Sequence, residues 1–207
     1  MFRLKMPALV AGAIGALALV PAAHAGQPAT DELNPPPPDF LSCKATGTKT
    51  ICTGTQVMVK ESELQPELVC GSGADAFNIY DQGVIHQRAT RWYNADGNLT
   101  RRFIYERWAP AYWSNPLNGK TVPYTQMNKL TTVLTVPGDF DSAIETTVGE
   151  NIYTNPETHK KILHVSGRVV FGADGTLEFR SGKQPFLDAF IDGDTSVFDG
   201  VCAALSS

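Results

Sequence analysis

Apolar and polar residues alternate along most of the chain after residue 40, with the period of two that is typical of half-buried β-strands. The run KILHVSGRVVF places its apolar and polar side chains on opposite faces: Leu163, Val165, Val169 and Phe171 against His164, Ser166 and Arg168. In SAIETTVGENIY three apolar residues share one face: Ile144, Val148 and Ile152. The run KLTTVLTV is rich in the β-branched residues that suit a pleated surface. The pattern predicts strands almost throughout.

Short turn signals separate these runs: Asp96-Gly97, Asn118-Gly119, Pro137-Gly138, Asn155-Pro156 and Asp174-Gly175. Long strands joined by short loops predict an antiparallel meander. Such a meander hides its edges by closing into a β-barrel, the fold favoured here, or by folding into a β-sandwich. Only the tail TSVFDGVCAAL is typical of a helix, with Thr195 as its N-cap. The sequence therefore predicts an all-β domain with a short C-terminal helix.

A six-residue motif occurs twice, as NADGNL at 94–99 and GADGTL at 172–177. Both copies fit a type I turn that ends in a glycine with positive φ. An aromatic residue and a leucine flank each turn and should pair across the strands: Tyr93 with Leu99, and Phe171 with Leu177. Each copy carries a single carboxylate, whereas a calcium loop needs several oxygen ligands. The related run DGDTSVFDG lacks the EF-hand glycine and glutamate, so no metal site is expected.

The first 25 residues have the features of a signal peptide: the cations Arg3 and Lys5, a short apolar run, and the cleavage signal Ala23-His24-Ala25. The apolar run from 8 to 20 is too short to span a bilayer, so no membrane insertion is expected after cleavage. Residues 26–39 contain NPPPP and are predicted to form an extended linker. A single domain should then occupy 40–207, and the protein should be secreted.

All four cysteines lie in the exported part, where an oxidising compartment favours disulfides. In CKATGTKTIC, a two-residue hairpin loop at Gly47-Thr48 would place Cys43 opposite Cys52. The close approach of such a non-hydrogen-bonded strand pair suits a disulfide. Cys70 and Cys202 would then form the second bridge and join the start of the sheet to the end of the chain.

Charge excludes one class of partner. The chain has a formal charge of −4, and removal of Arg3 and Lys5 takes it to −6. Nucleic-acid binding requires a basic surface, so it is not expected to be the main role.

The segment from His86 to Trp113 is the most unusual part of the chain. It carries all three tryptophans and five of the seven arginines that follow the signal peptide. A uniform pairing from Tyr93 opposite Leu99 would place one set of side chains on a single face: His86, Arg88, Trp92, Arg102, Ile104, Glu106 and Trp108. Arg91 would then lie opposite Arg101, an unfavourable contact unless an anion or carboxylate lies between the two charges.

This arrangement has two interpretations. In the first, Arg88, Trp92, Arg102 and Trp108 bind a small anionic or aromatic ligand. In the second, which the frequency of such contacts favours, the arginines stack on aromatic rings and pair with the protein's own carboxylates. A slip of one residue in the register would reassign both faces.

Catalytic motifs are absent from the sequence: it contains no G-x-S-x-G, no H-E-x-x-H, no phosphate-binding loop and no dinucleotide fingerprint. His86 and Glu106, predicted to lie opposite each other, are the candidate acid–base pair, although such a pair is more often a surface ion pair. No cofactor is predicted.

Several motifs together resemble a group of uncharacterised secreted proteins from high-GC Gram-positive bacteria: TRWYNADGNLTRR, NPLNGK, GRVVFGADGTLEFRSGK and VCAAL. The resemblance covers about residues 88–205, with YNADGN here where the group has YDADGN. It implies a shared fold and export. The group has no established activity, so the resemblance assigns no site residues.

The sequence therefore favours a secreted, non-catalytic protein that binds a small-molecule ligand or an extracellular protein through the 86–108 strand pair. One alternative is an extracellular barrel enzyme, an isomerase, cyclase or hydrolase that uses His86 and Glu106. Another is a secreted inhibitor or a structural protein of the cell envelope.

Overall fold

The computed structural model describes residues 32–193 and 195–206. The predicted signal peptide at 1–25, the first part of the predicted linker and Asp194 of the DGDTSVFDG run lie outside these described residues.

In the described residues, eight antiparallel strands form one sheet, and each strand pairs with its neighbours in the sequence. The strands are β1 (Ser42–Thr46), β2 (Lys49–Cys70), β3 (Phe77–Tyr93), β4 (Leu99–Ser114), β5 (Thr121–Leu134), β6 (Ala143–Thr154), β7 (Lys161–Phe171) and β8 (Leu177–Lys183). Two helices follow the sheet, α1 (Pro185–Asp192) and α2 (Asp199–Ser206). Short 3₁₀ turns occupy Gly73–Asp75, Phe140–Ser142 and Thr195–Phe198.

The sheet is open, so the predicted barrel is wrong. Within the described residues, β1 pairs only with β2, and β8 pairs only with β7. The alternative of a two-sheet sandwich is not what forms either, because all eight strands belong to a single sheet. The edge strands are short, with β1 contacting only residues 49–53 of the 22-residue β2. Short edge strands limit edge-to-edge pairing without closure.

One face of the sheet carries the core, and we call it the inner face. Its first hydrophobic cluster lies where α1 and α2 pack on the sheet and includes Ile79, Trp113, Val122, Tyr124, Tyr153, Leu163, Phe198, Val201 and Leu205. Trp113 contacts aromatic rings from both the sheet and α1, with ring centroids 4.5 Å from Tyr153 and 5.8 Å from Phe186. Burial of a leucine such as Leu205 stabilises the fold by about 1.5–3 kcal/mol.

The second hydrophobic cluster lies at the opposite end of the inner face and includes Leu33, Leu41, Cys52, Ala89, Tyr93, Leu99 and Leu134. Leu33 is buried, and the hydroxyl of Tyr93 donates a hydrogen bond of 2.9 Å to the carbonyl of Pro35. Asn34 forms a parallel bridge with Asn98. Residues 33–36, in the second half of the predicted linker, therefore contact the sheet. Proline has no N–H donor but keeps its carbonyl acceptor, and the carbonyls of Pro35 and Pro36 accept hydrogen bonds from Tyr93 and Arg91.

Local predictions agree with the structure. The disulfides join Cys43 to Cys52 and Cys70 to Cys202. Both ADG turns form, with positive φ at their glycines, and each predicted aromatic–leucine pair is in register: Tyr93 with Leu99, and Phe171 with Leu177. The C-terminal helix is present as α2, but it begins at Asp199 after a 3₁₀ turn over Thr195–Phe198, so the prediction of Thr195 as its N-cap is wrong. The sequence did not predict α1, which begins with Pro185 at its N-terminus and ends before Gly193 in the left-handed conformation.

Candidate functional site

Two β-bulges in β4 decide which side chains share a face. Tyr93 lies opposite Leu99, but Trp92 lies opposite Arg101, so Thr100 is an extra residue in β4. A second extra residue falls at Ala109-Pro110, between the pairs of Ile85 with Trp108 and Gly83 with Ala111. An extra residue in one strand shifts the pairing of everything beyond it.

The predicted pairing of His86 with Glu106 is therefore wrong. Glu106 lies opposite Gln87, and His86 lies opposite Arg107. Because successive residues of a strand point to opposite faces, His86 and Glu106 lie on different faces of the sheet. These two side chains cannot act together as an acid–base pair.

The four predicted ligand-binding residues are likewise divided. Arg102 and Trp108 lie on the inner face with Glu106, whereas Arg88 and Trp92 lie on the opposite face, which we call the outer face. The prediction that all of them share one face is wrong for the same reason, the extra residue at Thr100. Whether each of the four binds a ligand stays a prediction.

On the inner face, Arg91 and Arg102 each have hydrogen-bond acceptors within the protein itself. Arg102 lies opposite Arg91 and donates hydrogen bonds to the hydroxyl of Thr132 and to Glu145, the latter at 3.2 Å. Arg91 donates to the carbonyl of Pro36 at 2.9 Å. Burial lowers the pKa of Arg102, the charge of Arg91 adds to this, and Glu145 opposes both. These contacts agree with the second interpretation of the sequence.

Glu106 belongs to a hydrogen-bonded chain across three strands of the inner face. Gln56 donates to Gln87 at 2.6 Å, and Gln87 donates to Glu106 at 2.7 Å. The indole nitrogen of Trp108 lies 3.5 Å from the second carboxylate oxygen of Glu106. Both oxygens of this carboxylate therefore face donors from the protein, which is the arrangement of a structural group.

A buried acidic cluster on the inner face was not predicted from the sequence. Asp81 accepts hydrogen bonds from the hydroxyl of Tyr124 at 2.7 Å and from Lys60 at 3.1 Å. Burial and the charge of Asp81 raise the pKa of Tyr124. Burial lowers the pKa of Lys60, but its partners Glu63 and Asp81 outweigh this effect and raise it. Both oxygens of Asp81 therefore have a donor within the protein.

The outer face carries two adjoining open grooves, which share the side chain of Tyr105. One groove, of about 620 Å³, is lined by Tyr105, Met127, Lys129, Val148, Gly149, Glu150, Gly167, Arg168 and Ser181. The other, of about 550 Å³, is lined by Thr55, Gln56, Val57, His86, Gln87, Arg88 and Tyr105. Together they cross the middle of the sheet from β2 to β8.

The strand register aligns seven of these side chains in one row across the sheet. Each lies directly opposite the next: Thr55, Arg88, Tyr105, Lys129, Val148, Arg168 and Ser181. We call this the cationic row, because its five central positions alternate between cations and apolar or aromatic side chains. Directly opposite side chains in such pairs lie about 5 Å apart at their Cβ atoms. Tyr105 and Val148 are therefore each flanked by two cations.

Three glycines occupy inner-face positions beneath the larger groove, where β6, β7 and β8 approach one another closely. Gly149 lies opposite Gly167, which lies opposite Gly182. A Cβ on Gly167, whose φ is +136°, would lie 1.9 Å from the carbonyl oxygen of Ser181. Only glycine fits such a close approach of two backbones.

The cations of this region are not neutralised by the protein. Within the described ranges, no ion pair joins Arg88, Arg107, Lys129 or Arg168 to a carboxylate, whereas three other cations are paired: Lys60 with Asp81, Arg102 with Glu145 and Arg180 with Asp188. The one carboxylate that lines the two grooves, Glu150, contacts His164 at 2.8 Å. The outer face therefore holds an excess of positive charge in a chain whose formal charge is −4.

Trp92 lies on the outer face but outside both grooves, where the guanidinium of Arg101 lies 5.2 Å from its ring centroid. Lys129 and Arg168 were not among the predicted site residues. The alternation in the sequence correctly predicts that Arg168 shares a face with His164. It could not predict that Arg168 lies in line with Arg88, because that alignment depends on the register of four strand pairs.

The charge of the outer-face arrangement is suited to an anion. In the part of the chain that the structure describes, no three His, Cys, Asp or Glu side chains gather closely enough to hold a metal ion. The grooves hold one histidine, His86, and it has no carboxylate or hydroxyl partner among the described residues. Cations beside an aromatic ring are suited to hold a carboxylate or phosphate group and a ring next to it.

Within the described residues, no helix is both long and apolar enough to cross a lipid bilayer. A scan against protein-family models, a search of curated proteins and a search of solved structures find no match to this chain.

Proposed function

We propose that this protein is an exported, non-catalytic binding protein that holds an anionic ligand on the outer face of its sheet. The cationic row is the observation that carries the proposal. Export is supported by the signal-peptide pattern of residues 1–25 and by the two disulfides, which persist in oxidising compartments. The resemblance to secreted proteins of high-GC Gram-positive bacteria is consistent with this location.

Among the described residues these cations have no carboxylate partner, although the guanidinium of Arg168 lies 5.5 Å from the ring centroid of Phe179. A protein with more acidic than basic residues has carboxylates available for each cation, as Glu145 is for Arg102. Arg88 and Lys129 instead lie on either side of Tyr105 with no carboxylate in contact among the described residues. Unpaired cations around a groove raise the local concentration of anions and strengthen their binding.

The geometry does not support the alternative of an enzyme that uses His86 and Glu106, since the sheet separates the two groups. An extracellular protein could bind the same face if it offers carboxylates to the cationic row. Whether the ligand is a small anion or such a protein, removal of the cations should weaken its binding.

A titration with citrate, followed by the backbone amide signals of the isotope-labelled protein, tests the proposal. We expect saturable shifts at Arg88, Tyr105, Lys129 and Arg168. The variant R88Q/K129Q/R168Q removes three exposed charges, each worth about 0.2–1 kcal/mol, so it should weaken citrate binding by roughly threefold to a hundredfold.

The matched control is K44Q/K49Q/K160Q, which makes the same change in charge at exposed lysines outside the grooves. This control should keep the affinity of the unmodified protein to within about twofold. Equal losses in the two triple variants would mean that only net charge matters, and the proposal would be wrong.

A further inference from the structure

The cationic row repeats along its length, and this repeat indicates a ligand with a repeat of its own. Its cations occupy every second strand: Arg88 in β3, Lys129 in β5 and Arg168 in β7. Neighbouring strands lie about 4.8 Å apart, so successive cations are spaced by about 9.6 Å and the outermost two by about 19 Å. A small anion can contact one or two of these cations, whereas an extended chain of spaced anions can contact all three.

The spacing is too wide for the most densely charged polymer. Duplex DNA carries one charge for about every 1.7 Å of its axis, and proteins bind it with clustered cations. An anionic membrane is matched by clusters of about four to eight basic residues beside an apolar segment. The cationic row has single cations separated by single apolar side chains. It therefore suits a polymer with sparse, regularly spaced charges.

The side chains between the cations suit rings that carry hydroxyl groups. Tyr105 makes no ring–ring or cation–π contact with any other described residue, so its ring is available to a ligand. Beside it, Met127 and Val148 are exposed apolar side chains. The hydroxyls of Thr55 and Ser181 lie at the two ends of the row. An amphipathic aromatic ring with nearby polar groups is suited to contact the apolar face of a sugar while its hydroxyls are hydrogen-bonded.

The row also lies open at both ends. At Thr55 and beyond, no described residue outside β3 pairs with β2 in the sheet, because β1 covers only residues 49–53. Beyond Ser181 lies the edge of β8, which pairs only with β7 in the described part of the chain. A chain longer than the site can therefore continue past both edges.

From these features we infer that the ligand is an acidic polysaccharide with regularly spaced carboxylates, which lies across the strands along the cationic row. Arg88, Lys129 and Arg168 bind carboxylates that lie about 9.6 Å apart along the polymer, and Tyr105 stacks on a sugar ring between the first two. This inference rests on the proposed function and adds the class of ligand.

Oligogalacturonates of two, four, eight and twelve units, titrated by calorimetry into the intact protein, test the inference. Affinity per carboxylate should rise at least tenfold from the dimer to the oligomer that spans the row, and should then level off. Polyglutamate carries similar carboxylates without sugar rings and should bind at least threefold more weakly. Equal binding per carboxylate at all lengths would overturn the inference, as would tighter binding of duplex DNA or of vesicles rich in anionic lipid.

The variant Y105A separates ring stacking from charge. It should weaken the binding of the long oligogalacturonates by about threefold to tenfold, because an aromatic contact contributes on that scale. The variant Y105F keeps the ring and should bind like the unmodified protein. Unchanged oligomer binding in Y105A would contradict a stacked sugar.

The two proposals fail in different ways. If citrate shifts the row but affinity does not grow with oligomer length, the ligand class is wrong and the anion site stands. If neither citrate nor any oligomer binds at the row, the proposed function itself is wrong.

Discussion

Removal of the Cys70–Cys202 disulfide should be the most damaging change to the covalent structure. The bridge closes a sequence separation of 132 residues and fastens α2 to the end of β2. The second bridge, Cys43–Cys52, closes a separation of only 9. A cross-link stabilises a protein by restricting its unfolded chain, and the effect grows with the logarithm of the loop length.

The loop-entropy relation gives about 5 kcal/mol for the long bridge and about 2.6 kcal/mol for the short one at room temperature. The pairs C70A/C202A and C43A/C52A are well matched in other respects. Each removes one almost fully buried cysteine, Cys70 at 1% and Cys52 at 0% exposure. The loss of packing is therefore similar, and the difference of about 2.4 kcal/mol reports the loop length.

Urea unfolding followed by tryptophan fluorescence measures this difference. With a denaturant slope of about 2 kcal/mol per molar, the unfolding midpoint of C70A/C202A should lie about 1 M below that of C43A/C52A. Equal midpoints, or a lower midpoint for C43A/C52A, would refute the assignment of the long bridge as the main covalent restraint.

Three further predictions follow from close contacts in the fold. The variant G167A should lose at least about 2 kcal/mol of unfolding free energy in urea, because its Cβ would meet the carbonyl oxygen of Ser181. In G175A the new Cβ would have open space and only the φ of +77° is strained, so this variant should lose about 1 kcal/mol. The variant E145Q should lose about 1 kcal/mol of unfolding free energy, because Arg102 then lies opposite Arg91 without the carboxylate of Glu145. In a double-mutant cycle, adding R91Q to E145Q should recover part of this loss. Burial and the charge of Asp81 raise the pKa of Tyr124 above its unfolded-state value of about 10. The free energy of unfolding should therefore hold below about pH 10 and fall as the pH rises above it. Urea unfolding at a series of pH values should show a shallower fall in Y124F.

Features set by a few neighbouring residues could be predicted from the sequence. The hairpin at Gly47-Thr48 fixes the pairing of Cys43 with Cys52, and that assignment leaves Cys70 and Cys202 for each other. The ADG turns were predictable because their glycines adopt the positive φ that this turn requires, +79° at Gly97.

Features that depend on distant pairing could not be predicted. A barrel and an open sheet have the same alternation along each strand, and only the edges distinguish them. The bulge at Thr100 leaves no clear sequence signal, so the face of Arg102 was assigned wrongly. Pro110 could have indicated the second bulge, since proline inside a strand is typical of one. The helix α1 is only eight residues long, too short for its apolar spacing to stand out.

The cationic row illustrates the same limit. Its members come from seven strands, and their alignment requires the register of six strand pairs together. One slipped register would move Arg168 out of line with Arg88. The sequence could therefore place the arginines of β3 and β4 near a candidate site, but it could not assemble the outer-face site.

Cross-linking of a bound oligogalacturonate to lysine would test the central claim most directly. Carbodiimide activation joins a sugar carboxylate to a lysine amine only where the two are in contact, and peptide mapping then identifies the lysine. We predict that the cross-links fall on Lys129 and on Lys183, which lies on the same outer face opposite Ser166. Cross-links distributed over Lys44, Lys49 and Lys160, which lie outside both grooves, in proportion to their exposure would contradict a binding site on the cationic row.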